Sequence, residues 1–409
     1  MRAGGALDHR FMLADSGEAW GALTLAAPDT SWLRGESAVV ALTVDGGDRQ
    51  EIILAAGDEP VEYHRFLGRL ARGAHVLRIE MHPGLSSPAA QEVAVVGVRT
   101  GCVEDVDPAA RVWRHAPIIH YRALDSPLDG VTTDTPLLLF YRTAARDGMT
   151  SVEYHVVLSH EDAGTDLTGL LARWGHTVDI EWVLRVTLDD AGGVIAEEFQ
   201  GPGHRPHRYR GGRVFGGHPV LQIATRNGMV VDRTACPYRT AIAPACAQPA
   251  GEPREGVLQQ FPWIYRISAL EVLRQVPLEM PPMPESPAPA DPRSYLFLQW
   301  RRLRGPVVPL EASARVGDTW YTSAWGRVDL MFDGADAEST AVKLAPGATE
   351  TKITGIALRT PTPPSTPVEV ALVRAFFLDE AYRPRPSLAA PAACRLSAGA
   401  PCRVVWARQ

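Results

Sequence analysis

Lysine is almost missing from this chain: Lys343 and Lys352 are the only two in 409 residues, and arginine supplies the rest of its 41 basic side chains. That imbalance is read as genome composition. Acidic residues outnumber basic ones, and the formal net charge is −6. No basic field exists to hold nucleic acid, which excludes that partner class. No apolar run approaches the roughly 20 residues of a spanning helix, so no segment reads as a membrane span; peripheral membrane contact stays compatible with the composition. G-x-S-x-G, H-E-x-x-H, a G-K-[ST] phosphate loop and a dinucleotide fingerprint are all absent, which removes the commonest motif-bearing enzyme classes. Residues 1–12 contain no apolar signal-peptide core.

What is present is an ordinary folded composition, with 45% hydrophobic and 22% charged residues. Gly 36 and Pro 34 occur without periodicity, which favours a loop-rich, strand-rich protein. The length suggests about two to four domains. The cysteines fall in two local pairs: Cys236 with Cys246 in one Pro/Ala-rich loop, and Cys394 with Cys402 in another. Neither spacing suits zinc. Two short-loop disulfides, with Cys102 left over, imply an exported, extracellular protein; five unpaired thiols are the alternative.

Runs rich in β-branched residues at 37–44, 51–55, 75–80 and 91–98 predict an N-terminal accessory β-sandwich over 1–102. Trp20, Trp32 and Tyr63 are its candidate sugar platforms, against a plain spacer role. Strand patterns near 117–121, 136–142, 152–160, 179–187 and 219–225 predict a central β-sandwich over 103–276. It closes with a helix at 261–276, where Ile264, Ile267, Leu270 and Leu273 recur at helical spacing. Seven prolines in 277–293 read as a stiff linker. A C-terminal β-sandwich takes 294–409. The fold class is therefore all-β, multi-domain, with antiparallel sandwiches in series.

Chemistry concentrates in the centre. Six of the twelve histidines lie between 155 and 218, interleaved with Glu153, Glu161, Asp162, Asp166, Asp179 and Glu181. Strand alternation places Ile180, Trp182, Leu184 and Val186 on the core face of one strand, leaving Asp179, Glu181, Val183 and Arg185 on the other. On the 152–160 strand the same rule puts Glu153 and His155 opposite the core. Clustered imidazoles and carboxylates suit a metal or acid–base site; a solvated strand face is the bland alternative. The loop 201–213, with His204, His207 and four arginines, suits an anionic sugar, phosphate or sulfate, or is an exposed hairpin tip.

Gly175-His176-Thr177-Val178-Asp179-Ile180-Glu181 resembles the G-H-R-H-D-W-E heptapeptide of the necrosis- and ethylene-inducing-peptide-like cytolysins, at Gly, His, Asp and Glu. The segments 154–162 and Gly217-His218-Pro219-Val220 resemble flanking parts of that family. HAPIIHY at 115–121 and DIEWVLRV at 179–186 resemble the vacuolar-protein-sorting-associated protein 62 family. Together the likenesses span about residues 115–230. The cytolysin resemblance implies a divalent cation held by Asp162, His176, Asp179, Glu181 and His218, with Asp166 or Glu161 as substitutes for Asp162. The family's membrane-damaging activity is not implied, because the second His and the Trp of the heptapeptide are missing. Such a donor set favours Ca²⁺ or Mg²⁺, and admits Mn²⁺ or Zn²⁺. The leading functional expectation is an exported protein that recognises a glycan or glycolipid through this cation. The alternatives are a metal-dependent hydrolase or lyase on an extracellular polysaccharide, with His155, His204 or His207 moving protons, and a structural surface protein stapled by the cation.

Overall fold

The β-branched runs become strands. The computed structural model describes residues 1–2, 4–122, 134–161, 165–249, 252–333 and 339–408. It is mostly β, with several separate sheets, as the composition predicts. The chain divides into two compact units rather than three domains in series: one comprises Met1–Ala163 and Val178–Ala250, the other Gly164–Thr177 and Gly251–Gln409.

In the first unit, the N-terminal residues make a four-stranded sheet, ordered Ala6–Leu13, Gly73–Met81, Val39–Val44, Gln50–Ile53, and a three-stranded one, ordered Val61–Leu70, Gly17–Ala26, Ala94–Glu104. Trp32 and Tyr63 are 1% and 2% exposed, so they are core side chains and not sugar platforms. Trp20 is half-buried and its indole lies against Gly101, where any Cβ would collide with the ring. The central residues make a six-stranded sheet, ordered Arg205–Arg208, Val194–Gly201, Asp179–Leu188, Met149–Leu158, Pro136–Arg146, Pro244–Ala247. A smaller sheet is built around His218–Ile223 and Ile118–His120. Val152, Tyr154 and Val186 of the larger sheet share one core with Ile118, Ile119, Leu221 and Ile223 of the smaller. Two of the pairings are parallel, His218–Ile223 with Ile118–His120 and Pro244–Ala247 with Pro136–Arg146, where antiparallel sheets are expected.

No boundary falls at residue 102. Residues 241–243 add to the edge of the N-terminal sheet: Phe66 N donates to Ala241 O at 2.7 Å and Ala243 N to His64 O at 3.2 Å. The Gln50 side chain locks this seam, its Nε2 donating to Phe66 O at 2.5 Å and its Oε1 accepting from Ala241 N at 3.1 Å.

The second unit is a sandwich of two four-stranded sheets. Leu296, Leu298, Trp300 and Val370 from one sheet meet Ala312, Ala314, Ile356 and Leu358 from the other in a common core. The expected helix forms at Trp263–Gln275, but it belongs to this unit and not to the central sandwich. Tyr265 explains the choice. Its ring packs edge-on to Phe376 at 5.4 Å and to Phe297 at 6.0 Å, and its hydroxyl accepts from Gln299 Nε2 at 3.0 Å. A second helix, Leu167–Trp174, is capped by Asp166, whose carboxylate accepts from Gly169 N at 2.6 Å. Gly175 ends it in a left-handed turn (φ 65°) and presses against Ser339 and Thr340.

The proline-rich segment is not a free linker. Glu279 pairs with Ala290 across it, and Trp325 Nε1 donates to Pro284 O at 2.6 Å. Lys343, 2% exposed, reaches into the loop and donates to Glu279 Oε2 at 3.0 Å and to Ser286 O and Ala288 O at 2.6 Å each. All three ammonium protons are thereby used.

The five cysteines are free thiols, so the expected bridges are not formed and export loses the support they would lend. Cys394 and Cys402 lie on strands of different sheets, and Cys246 sits on the six-stranded sheet while Cys236 precedes a strand of the other.

Amine-reactive labelling of the native protein is expected to modify Lys352 and spare Lys343, which becomes reactive only as the second unit unfolds. Lys343→Ala strands the Glu279 carboxylate and two carbonyls, and should cost about 3–5 kcal/mol in denaturant titration.

Candidate functional site

A β-bulge decides where the acidic residues point. Strand Met149–Leu158 pairs with Asp179–Leu188 in even register as far as Tyr154↔Leu184, after which His155 faces Trp182. Val183 is the extra residue, and it enters the core together with its neighbour Leu184. Directly opposed residues share a face. Beyond the bulge, Glu181 and Asp179 oppose Val156 and Leu158, which are core residues. The expected parity is therefore reversed for this half of the strand. Asp179 and Glu181 turn toward the core-bearing face, where they are 5% and 8% exposed.

Glu153, His155 and Arg185 stay on the opposite face. Arg142, Glu153, Arg185, Glu198 and Arg208 are successive register partners there, a row of alternating charge. Arg185 donates to Glu153 at 2.9 Å and to Glu198 at 2.8 Å. His155 bonds Glu153 at 2.9 Å through Nε2 and stacks on Phe140 at 4.8 Å. Burial alone would raise the Glu153 carboxyl, but hydrogen bonds and charge from His155 and Arg185 outweigh it and hold the group at about 2. His155, expected as a proton-moving group, is thus buried against Glu153 and Phe140, on the face opposite Asp179 and Glu181.

Around the inward carboxylates a polar cluster forms within the first unit. Gln200 Nε2 donates to Glu181 Oε2 at 2.7 Å and lies 2.9 Å from His204 Nδ1. His204 Nδ1 is 3.8 Å from Glu181 Oε1, and the imidazole is 56% exposed against 10% for the carboxylate side chain. Asn227 Nδ2 approaches the other ring nitrogen of His204 at 3.4 Å, while its Oδ1 accepts from Thr225 Oγ1 at 2.7 Å. Gly228 closes the cluster over Asp179: a Cβ there would stand 2.6 Å from Asp179 Oδ2 and 2.4 Å from Leu158. Gln200 is 2% exposed, and its Oε1 accepts no hydrogen bond. The cluster therefore combines a buried carboxylate, a buried amide acceptor and an exposed imidazole. The 201–213 loop is the hairpin tip that its glycines suggest, with Gly203 and His204 both left-handed (φ 75° and 56°). His207 lies on the outgoing strand, exposed and stacked on Phe199 at 5.4 Å, so its ring packs on the sheet and is not among the polar groups around Glu181.

The five residues implied as cation ligands are not gathered as a set. His218 is 1% exposed, with Nδ1 2.8 Å from Ala116 O and Nε2 3.2 Å from Glu18 Oε2, so both nitrogens are committed. His176 is buried in the turn after helix Leu167–Trp174, in the second unit; the heptapeptide is divided between units after Thr177. Thr177 itself is held by Ser268 Oγ at 2.9 Å. Asp162 lies outside the described residues, and Asp166, its substitute, is occupied as a helix cap. Among the described residues no three His, Cys, Asp or Glu side chains come together in a way that could hold a metal ion.

Gln200, Thr225 and Asn227 are absent from the sequence reading. The Asn227-Gly228 pair is a turn signal that could have flagged the loop; nothing marks Gln200, a polar residue at the buried end of its strand.

No family model matches the chain, and neither does any curated protein. Among solved structures, a ruminal GH26 endo-β-1,4-mannanase is similar with 10% identity over 30% of this chain and a TM-score of 0.20; the match takes in only 28% of the mannanase chain. NLPPya in complex with mannosamine is similar with 11% identity over 36% of this chain and 75% of its own, at a TM-score of 0.24. Both are carbohydrate-related proteins, and both likenesses are too slight to carry an argument about this one.

The depressed Glu153 carboxyl has a signed consequence. A group held below its usual 4.5 contributes stability above that pH and loses it as pH falls toward about 2. Glu153→Gln should therefore flatten the stability–pH curve between those limits, removing at most about 3 kcal/mol of pH-dependent stability. Denaturant midpoints measured across that range check this; an unchanged slope contradicts it.

Proposed function

We propose that the first unit recognises a glycan directly through the Glu181–Gln200–His204 cluster, with Asn227 at its rim. Sugar hydroxyls both donate and accept, and they are best held by fixed, partly desolvated groups of both kinds. The observation that carries the reading is the buried Gln200 amide. One end of it holds the Glu181 carboxylate, and the other end is an acceptor with no partner among the described residues. A ligand hydroxyl donated to Gln200 Oε1 would satisfy a group already desolvated by the fold. His204 supplies a ring nitrogen at the solvent side of the same cluster. Recognition of this kind leaves the ligand intact and uses no metal, which departs from the cation-bridged binding implied by the cytolysin resemblance.

The test is a printed array of neutral and acidic oligosaccharides, probed with wild type, Glu181→Gln and Gln200→Leu, with melting temperatures measured alongside. Wild type should bind a defined subset. Each variant should lose about ten-fold or more in affinity, since a partner left unpaired costs on the order of 1–3 kcal/mol, and binding should survive EDTA. Absence of binding, or binding by both variants as tight as that of wild type, overturns the proposal. Loss of binding in EDTA favours a cation-bridged site instead, and cleavage of the bound oligosaccharide favours the hydrolase or lyase reading.

A further inference from the structure

The second unit carries an exposed face with a different chemistry. Its sheet runs in the order Thr319–Thr322, Glu311–Val316, Ile353–Arg359, Cys402–Ala407. Ala312, Ala314, Ile356 and Leu358 point into the core, so Ser313, Arg315, Gly355 and Ala357 lie on the other face of the sheet, where Arg315 is half-buried and the three small residues are covered. That surface is floored by small side chains and carries one large aromatic, Trp320, which is 38% exposed. Trp320 is the register partner of Arg315, which in turn opposes Gly355. The indole lies over Gly355: a Cβ there would come within 3.1 Å of its Cη2. The absent side chain lets the ring lie on the sheet while the indole stays partly exposed.

Arg315 stands beside it, its guanidinium 5.6 Å from the ring centroid and its Nε donated to Thr354 Oγ1 at 2.9 Å. That bond fixes the head group without neutralising it, and no carboxylate of the described residues pairs with it. The neighbouring Arg359 differs, being paired with the buried Glu311. The face thus offers a flat aromatic surface next to an uncompensated, oriented cation. A pyranose bearing a carboxylate matches both features: its C–H face stacks on an indole, and its carboxylate meets a guanidinium fork.

We propose that this face binds an acidic polysaccharide, with a uronate ring on Trp320 and its carboxylate on Arg315. The site is independent of the Glu181 cluster and lies in the other unit. Because the whole chain carries a net charge of −6, long-range repulsion of a polyanion works against binding, and retention has to come from a local site.

Affinity electrophoresis of the full chain in native gels containing polygalacturonate, with dextran gels as the neutral control, tests this. Wild type should be retarded by polygalacturonate and not by dextran. Trp320→Ala and Arg315→Gln should each weaken retardation by about ten-fold, Trp320→Tyr should retain part of it, and Glu181→Gln should leave it unchanged. No retardation of wild type, or retardation of Trp320→Ala and Arg315→Gln as strong as that of wild type, overturns the proposal. Retardation lost in Glu181→Gln but kept in Trp320→Ala also overturns it, and moves the polymer to the first unit without disturbing the reading of that cluster.

Discussion

A buried polar contact between residues 200 positions apart holds the first unit together: Glu18, 2% exposed, faces His218, 1% exposed, at 3.2 Å. Ala116 O takes the Nδ1 proton at 2.8 Å, which leaves Nε2 to address the carboxylate. Burial would raise the Glu18 carboxyl, but the hydrogen bond and charge of His218, reinforced by Arg69, pull it below its usual value. The ring also packs on Phe66 at 4.5 Å. A buried carboxylate is costly unless it is hydrogen-bonded, and losing His218 leaves Glu18 without this partner. The pair joins the N-terminal strand Gly17–Ala26 to the start of strand His218–Ile223. With the seam at 241–243, it makes the first hundred residues a wall of the central sandwich.

The candidate site depends on that weld. Strand His218–Ile223 leads into the loop that carries Thr225, Asn227 and Gly228, and this loop closes over Asp179 and supports His204. The other half of the site comes from the bulge at Val183. Without the extra residue, Asp179 and Glu181 would extend the outer charged row, where Glu153, Arg185 and Glu198 already satisfy one another. With it, one strand serves two chemistries: a neutralised outer ladder and an inner pair of carboxylates.

Period-two alternation made the strands legible, because half-buried strands advertise their faces in Val, Ile and Leu. It failed at Asp179 and Glu181 because Val183 is an apolar residue in an apolar run, and no glycine or proline marks the bulge. The helix at Trp263–Gln275 was legible in its apolar spacing, but its docking partner was not, since Tyr265 finds Phe297 and Phe376 only in three dimensions. Composition misled at 277–293: seven prolines suggest a spacer, yet a single buried lysine far along the chain fastens the loop. The histidine-rich centre was visible as a concentration of chemistry. Its division into a weld (His218), a clamp (His155) and an exposed imidazole (His204) followed from partners that lie on other strands.

Hydrogen-exchange mass spectrometry of wild type and Glu18→Ala tests the weld most directly. The account predicts that the variant loses protection together in Gly17–Ala26, in His218–Ile223 and in the 224–230 loop, while strand Tyr295–Arg304 of the second unit is unchanged. Loss confined to Gly17–Ala26, with His218–Ile223 still protected, would show an N-terminal sandwich that stands alone and would contradict it.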